Sequence, residues 1–283
     1  MRDNNMRNHK LDLGSIKGKI VFFSFFFVTG ALIYLLIWTF TNKPEKKQPL
    51  KEVNVGDPWF FGSYEQDGNI DNGSEPVEWI VLKKEQGADL LISKYVLDAK
   101  AYENAGTDVV WADCDLRKWL NDEFYQKCFD DEEMNLILRT KNDNPSSYDF
   151  YDTSYMKDHF DMDTSGKGIG SEGGETTNDR VFLLSWREVL DYFDDEMSRE
   201  GAATNYALKQ GVYYISAENY DQDGWKEAGA GTDVIGKCMW WLRSSGGTQD
   251  SAMSVYYDGR VHSNTVDINY EGIRPAIWVL ETE

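Results

Sequence analysis

Cysteine and histidine are scarce in this chain. The three cysteines, Cys114, Cys128 and Cys238, are an odd number, so at least one thiol stays unpaired. No Cys-x-x-Cys occurs, which argues against a structural zinc site. Cys114 and Cys128 bracket a predicted helix that would hold them about 21 Å apart, beyond the reach of a disulfide. The three histidines, His9, His159 and His262, are scattered, and His9 lies in an N-terminal tail, so no single domain holds a three-histidine metal site. A phosphate-binding glycine loop ending in Lys-Ser/Thr is missing, as are a dinucleotide fingerprint and a nucleophile elbow. Paired carboxylates such as Asp130-Asp131 and Asp194-Asp195 do occur, but an acid-rich chain produces such pairs by chance, and they give no specific support to glycosidase chemistry.

Positive charge is also in short supply. The chain has 29 Lys and Arg against 49 Asp and Glu, a net of −20. Residues 1–52 hold nine of the basic and four of the acidic residues, so the rest of the chain carries 20 basic and 45 acidic ones, a net of −25. Such a domain repels nucleic acid and anionic lipid headgroups, and no nucleic-acid partner is expected. The charge fits solubility at a cell surface, or attraction of cations and basic partners. Ten Trp and sixteen Tyr supply ample material for a core.

The one long apolar run is Ile20–Phe40, uncharged throughout. As a helix it would be about 31 Å long, the thickness of a hydrocarbon core. A cleaved signal peptide would have a shorter apolar region ending at small residues, unlike Phe40-Thr41-Asn42. The sequence therefore predicts a cytoplasmic tail over 1–19, a transmembrane helix over 20–40, a Lys-, Pro- and Gln-rich linker over 41–54 and one domain over 55–283. Five Lys or Arg precede the span and four follow it, so the positive-inside rule alone leaves orientation open.

Within the domain, Trp59–Tyr64, Val77–Lys84 and Leu90–Ile92 read as a β-meander. Between the first two strands, Asp67, Asn69, Asp71 and Glu78 occupy positions 1, 3, 5 and 12 of an EF-hand-like loop, making calcium the one metal candidate. Position 6 is Asn72, where that loop wants glycine, and a plain polar hairpin is the alternative. Asn219, Asp221, Asp223 and Gly224 form a second candidate, with Ala230 where the bidentate carboxylate belongs. Leu116, Trp119, Leu120 and Phe124 mark one face of a helix over Asp113–Phe129, capped by Asp113 or Asp115. Asp130-Asp131 opens a short helix. Residues 142–179 are rich in Gly and Ser and predict a flexible insertion, in which Tyr148, Tyr151 and Tyr155 interleave with Asp149, Asp152 and Asp158, a pattern suited to sugar stacking. Ser185 and Glu188 form a capping box opening a helix over Trp186–Phe193, and a further helix is predicted over Ala202–Gln210, stopped by Gly211.

The C-terminal run reads as antiparallel strands. Trp240 and Leu242 alternate with Trp241 and Arg243 as in a half-buried strand, Ser251–Tyr257 is a second strand, and Asp258-Gly259 is a hairpin turn. Ile273–Leu280 closes the run, with Pro275 implying an edge or a bulge. Arg243 and Arg274 sit in apolar text and should be paired with carboxylates or carbonyls.

Trp240-Trp241-Leu242-Arg243-Ser244, the Asp-Gly turn and Gly272-Ile273-Arg274-Pro275-Ala276-Ile277-Trp278 occur in an order that resembles the bacterial domain of unknown function 6273 family. Three upstream motifs match in order as well: Pro76–Leu82, Leu116–Asn121 and Arg180–Ser185. The resemblance spans roughly Asp57 to Leu280. It implies an α+β, C-type-lectin-like domain of small antiparallel sheets and few short helices, the fold shared with formylglycine-generating enzymes and variable surface binders. It implies structural roles for Trp119, Trp240, Arg243, Arg274 and Trp278. Family members often have Ser or Thr where this chain has Cys114. The resemblance to surface domains favours an extracellular domain on a single-pass membrane protein. In lectin-like folds the loops near the last strands carry recognition, which here nominates Asn264, Asp267, Asn269 and Tyr270, with Tyr148, Tyr151 and Asp152 of the insertion as a second set. The Glu-Pro-Asn and Trp-Asn-Asp calcium motifs of lectins are missing there. The expected function is non-catalytic binding of a glycan or protein, without a cofactor. An oxidase of the formylglycine-generating type is the alternative, disfavoured because it needs two close cysteines and Cys238 stands alone in the C-terminal half. A structural or sensory ectodomain without a small ligand is a third reading.

Overall fold

Strand-forming apolar alternation organises the first part of the domain. Pro58–Tyr64 (β1), Glu75–Glu85 (β2) and Ala88–Ser93 (β3) pair as the antiparallel meander the sequence predicts. Val77, Trp79 and Val81 point inward on β2, and the Trp79 indole donates to the Phe61 carbonyl at 2.7 Å, the partner a buried Trp needs. The computed structural model describes residues 50–85, 87–151, 155–160, 164, 166–222 and 232–281. The predicted tail, the Ile20–Phe40 span, most of the linker, and Asp152, Asp223, Gly224 and Ala230 lie outside them. Among the described residues no helix is long and apolar enough to cross a membrane.

Asp98–Ala99 (β4) precedes the main helical region, which runs as Asp115–Trp119 (α1), a π turn over Leu120–Phe124, and Tyr125–Cys128 (α2). Neither predicted aspartate is its N-cap. Cys114 takes that position in extended backbone, and its sulfur accepts from the Arg117 N–H. Ser and Thr are favoured at an N-cap for the same bond. Leu116, Leu120 and Phe124 are buried as their spacing predicts, and half-buried Trp119 carries the Lys100 ammonium 4.6 Å from its ring centroid. In the π turn, Asn121 donates to the Val181 carbonyl and accepts from the Arg180 and Val181 N–H groups. Asp130 and Glu133 form a capping box on Asp131–Met134 (α3).

Thr140–Asn142 (β5) and Thr177–Asp179 (β6) pair to close the base of the insertion, which carries Tyr148–Tyr151 (α4) and Tyr155–Phe160 (α5). Val181–Phe182 (β7) leads into Trp186–Tyr192 (α6), opened by the predicted Ser185–Glu188 capping box. Glu196–Arg199 (α7) follows. The predicted helix from Ala202 divides: Gly201–Ala202 (β8) pairs with Lys237–Cys238 (β9), while Asn205–Gln210 (α8) starts at the Thr204 cap and stops at Gly211, whose φ of 105° suits glycine. Ala217–Gln222 (α9) is the last α-helix among the described residues.

The closing strands are Trp240–Ser245 (β10), Ser251–Val255 (β11), Val261–Thr265 (β12), Gly272–Ile273 (β13) and Ala276–Leu280 (β14). The turn between β11 and β12 holds Gly259 at φ 76°, where a Cβ would sit 1.8 Å from the Glu196 carbonyl. Two five-stranded sheets result, in the orders β1-β2-β3-β14-β7 and β12-β11-β10-β13-β4. The mixed α+β class with small sheets is as the sequence predicts, but three details differ. The sheets are not antiparallel throughout, because β13 enters beside β10 in parallel. All six residues of β10 are buried, so it is not half-exposed. Trp240 packs beside Arg274 and donates to the Arg199 carbonyl, while Trp241 packs on Tyr102 and donates to the Lys100 carbonyl, so both faces of the strand are covered. Pro275 marks neither an edge nor a bulge. It stands at the break where the chain leaves one sheet as β13 and enters the other as β14, each an inner strand.

Both predicted structural arginines are buried and partnered. Arg243 meets the Glu188 carboxylate and the Leu183 and Asp143 carbonyls, at 2.8 and 3.0 Å for the latter two. Arg274 donates to the carbonyls of Ser93, at 2.7 Å, and Arg199, at 3.3 Å, between the rings of Trp240 and Phe193. Arg274→Ala would leave those carbonyls without their donor and open a gap beside Trp240. It is expected to lower unfolding stability by about 3 kcal/mol in urea titrations, with Arg274→Lys intermediate because it keeps charge but loses the planar fork. A loss within about 0.5 kcal/mol, the scale of a surface substitution, would contradict the role given to this side chain.

Candidate ligand-binding site

The insertion is tied to the closing loops by main-chain acceptors. The Ser147 and Ser171 hydroxyls both donate to the Gly246 carbonyl, at 2.6 and 2.8 Å, and the Gly170 N–H donates to the Gly247 carbonyl. At the base, buried Asp179 accepts from the Trp111 indole, the Arg117 guanidinium, the Asn142 amide and the Thr177 hydroxyl, at 2.7 to 3.2 Å. Four donors satisfy a carboxylate that would otherwise be costly to bury. Near the tip, the Val261 N–H donates to the Tyr155 hydroxyl at 2.8 Å, and the Tyr151 hydroxyl lies 3.1 Å from the Ser263 hydroxyl. Burial raises the pKa of both phenols.

These ties enclose a cavity of about 500 Å³, a size usual for small-ligand sites. The insertion lends Phe150, Tyr151, Met156 and Ile169 to the lining, and the loop after β10 lends Gly247 and Thr248. All five residues of β12 line it as well, together with Ile268. Apart from His262, the described lining contains no ionisable side chain but the Tyr151 phenol, in a domain with a net charge of −25. The lining therefore offers apolar contact beside hydroxyl and amide hydrogen-bonding groups, with almost no charge.

Of the binding residues nominated from sequence, Tyr151 and Asn264 line this cavity. Tyr148 packs against Gly170, Asp267 against Gly106, and Tyr270 against Tyr213, with ring centroids 6.2 Å apart; Asn269 is exposed, and none of these four is in the lining. Asp152 lies outside the described residues. Ser147, Ser171, Met156 and Ile169 went unnoticed because a Gly- and Ser-rich stretch has no periodicity to mark them. The only signal was the interleaved tyrosines.

The calcium candidate Asp67, Asn69, Asp71 and Glu78 does not assemble. Glu78 lies in the β2 ladder opposite Phe60 and pairs with Lys94 at 2.9 Å, since the segment is an extended strand and does not lead into a helix. Asp67 instead converges with Glu65 and Glu75, but backbone N–H groups occupy all three: Asn69 on Asp67, Gln66 on Glu75 and Gly68 on Glu65. In the second candidate, Asn219 and Asp221 lie within α9. The three cysteines are free and buried. Burial pushes the thiols of Cys114 and Cys238 up to about 12 and that of Cys128 well above its usual value.

A family model described as Domain of unknown function (DUF6273) matches residues 86–281. The chain belongs to the DUF6273 family. The DUF6273 match begins at the β2–β3 turn, runs through β14, and takes in every described residue of the cavity lining and its ties. No curated protein and no solved structure matches this DUF6273 chain.

Beneath the cavity, the Asn264 amide donates to Glu271, a fully buried residue whose second carboxylate oxygen has no hydrogen-bond partner among the described residues. Burial raises its pKa from 4.5 to about 8. The folded domain thus holds a proton that the unfolded chain releases, so this contribution to stability is complete below pH 4.5 and is lost as pH rises toward 8. The difference in urea midpoint between wild type and Glu271→Gln should shift in favour of the Gln variant across that window. Gln still accepts from Asn264 and carries no charge. A difference independent of pH between 5 and 8 would show that Glu271 does not titrate there.

Proposed function

We propose that this chain is a non-catalytic binding module, C-type-lectin-like in fold, held at the outer face of a cell membrane by Ile20–Phe40, and that its ligand occupies the cavity between the insertion and the closing strands. The observation that carries the reading is the convergence of two separate loop systems on one cavity with an almost uncharged lining. The uncharged length of Ile20–Phe40 supports the anchor, and the two small sheets joined by β13 and β14, antiparallel except for the β10–β13 pair, support the lectin-like assignment. A glycan or a protein segment fits the chemistry: apolar contact on Tyr151, Met156 and Ile169, with hydroxyl and amide hydrogen bonds from Thr248, Ser263 and Asn264. An oxidase of the formylglycine-generating type gains no support, since Cys238 is buried, bonded to the Gly201 carbonyl, and the sole cysteine of its half.

Glycan and peptide arrays probed with the full chain test the proposal. Thr265→Arg places a charge in the lining from an exposed position, and is expected to weaken any binding at least about tenfold, or 1.4 kcal/mol. Asp267→Ala with Tyr270→Ala should leave binding unchanged. Binding that survives Thr265→Arg but fails in the double variant would move the site to the far side of the closing loop. For orientation, protease added to whole cells should digest the C-terminal domain and spare a tag on residues 1–19; a protected domain would overturn the extracellular assignment.

A further inference from the structure

The cavity runs along an unpaired strand edge. β12 ends its sheet, and among the described residues no strand pairs beyond it. Two bonds set the phase of its ladder. Val266 donates to Asp250 at 3.0 Å, and Tyr256 donates to Arg260 at 2.8 Å. With the β11–β12 register, these place His262 and Asn264 in the hydrogen-bonded pairs, their N–H and C=O groups toward β11. Val261, Ser263 and Thr265 then direct theirs outward, along the cavity. The Val261 N–H confirms the phase by donating to Tyr155, away from β11. The Ser263 carbonyl meets the His262 ring and the Thr265 carbonyl accepts from Ile268. The N–H groups of Ser263 and Thr265 have no hydrogen-bond partner among the described residues.

Resting on the binding-module reading, we propose that the occupant is an extended peptide segment that adds to β12 as a further strand. Two donors two residues apart on a strand are spaced about 6.8 Å, the repeat of the carbonyls along one edge of an extended peptide. A sugar ring has no such repeat. Strand addition takes its affinity from these main-chain bonds and its selectivity from pockets for alternate side chains. Here the pocket is apolar, walled by Tyr151, Met156, Ile169 and Ile268, and receives one uncharged apolar side chain. Outside the cavity the peptide meets a domain of net charge −25, which favours Lys or Arg on its flanks.

The test starts from a random linear peptide library displayed on phage and selected on the full chain, with the enriched sequences remade as synthetic peptides. The enriched peptides should share one apolar anchor with basic flanks, and their binding should weaken as salt rises. Ser263→Pro and Thr265→Pro each delete one outward N–H and leave the ladder to β11 intact, a substitution that edge strands accept. Each should reduce affinity at least tenfold, and Ser263→Pro should cost more than Ser263→Ala, which loses the hydroxyl but keeps the N–H. Thermal melting identifies a variant that fails to fold. Hydrogen exchange on the unmodified chain reads the same contact without mutation, and peptide binding should slow exchange at Ser263 and Thr265. Binding undiminished by both proline variants, or exchange unchanged at both amides, overturns the proposal. Glycan-array binding with no peptide enriched overturns strand addition and leaves the binding-module reading standing. No binding to either probe overturns both.

Discussion

Between Ile273 and Ala276 the chain leaves one sheet and enters the other, and the Arg274 guanidinium fills the space at that crossing. Burial disfavours its charge and lowers its pKa to about 10. Two carbonyls and two aromatic faces compensate. Each partner comes from a different place: Ser93 from the end of β3, Arg199 from α7, Trp240 from β10 and Phe193 from the end of α6. A cation that must satisfy its donors in one geometry therefore fixes the relative placement of four segments. An apolar side chain of similar volume would fill the space without fixing directions.

A second polar node sets the insertion. Asp179 gathers Trp111, Arg117, Asn142 and Thr177, and Asn121 next to it on the helical segment reads the backbone of Arg180 and Val181. Leu116–Asn121 and Arg180–Ser185, two stretches far apart in sequence, are thus one contact in space. Their contact has a physical basis: the helix supplies the side-chain donors and acceptors that an edge strand as short as β7 lacks. From that base the insertion reaches over the closing strands and forms the cavity wall.

Much of this architecture is legible in the sequence. Alternation locates β1 to β3, the Ser185–Glu188 box opens α6 where its spacing says, and Gly211 ends α8. Burial of the whole of β10 is not legible, because Trp240 and Leu242 alternating with Trp241 and Arg243 read as one covered and one open face until Tyr102 and the Lys100 carbonyl are seen to meet Trp241. Cys114 as a helix cap is also hidden, since a thiol is not the residue that position usually holds. The cavity is half legible. Tyr151 and Asn264 stood out as polar or aromatic residues in loops, but their meeting depends on Ser147 and Ser171 finding the same carbonyl. A hydroxyl bonded to a main-chain oxygen leaves no trace in residue spacing.

The ties that frame the cavity have a property of their own. The Gly246 and Gly247 carbonyls and the Val261 N–H are main-chain groups, present whatever side chains follow Gly247 or point from β12 into the cavity. Apart from the Tyr151–Ser263 hydroxyl contact, the frame therefore rests on atoms other than the lining side chains. Side chains such as those at Thr248, Thr265 and Ile268 can therefore be exchanged one by one to change the chemistry of the lining while the main-chain groups that frame the cavity stay in place.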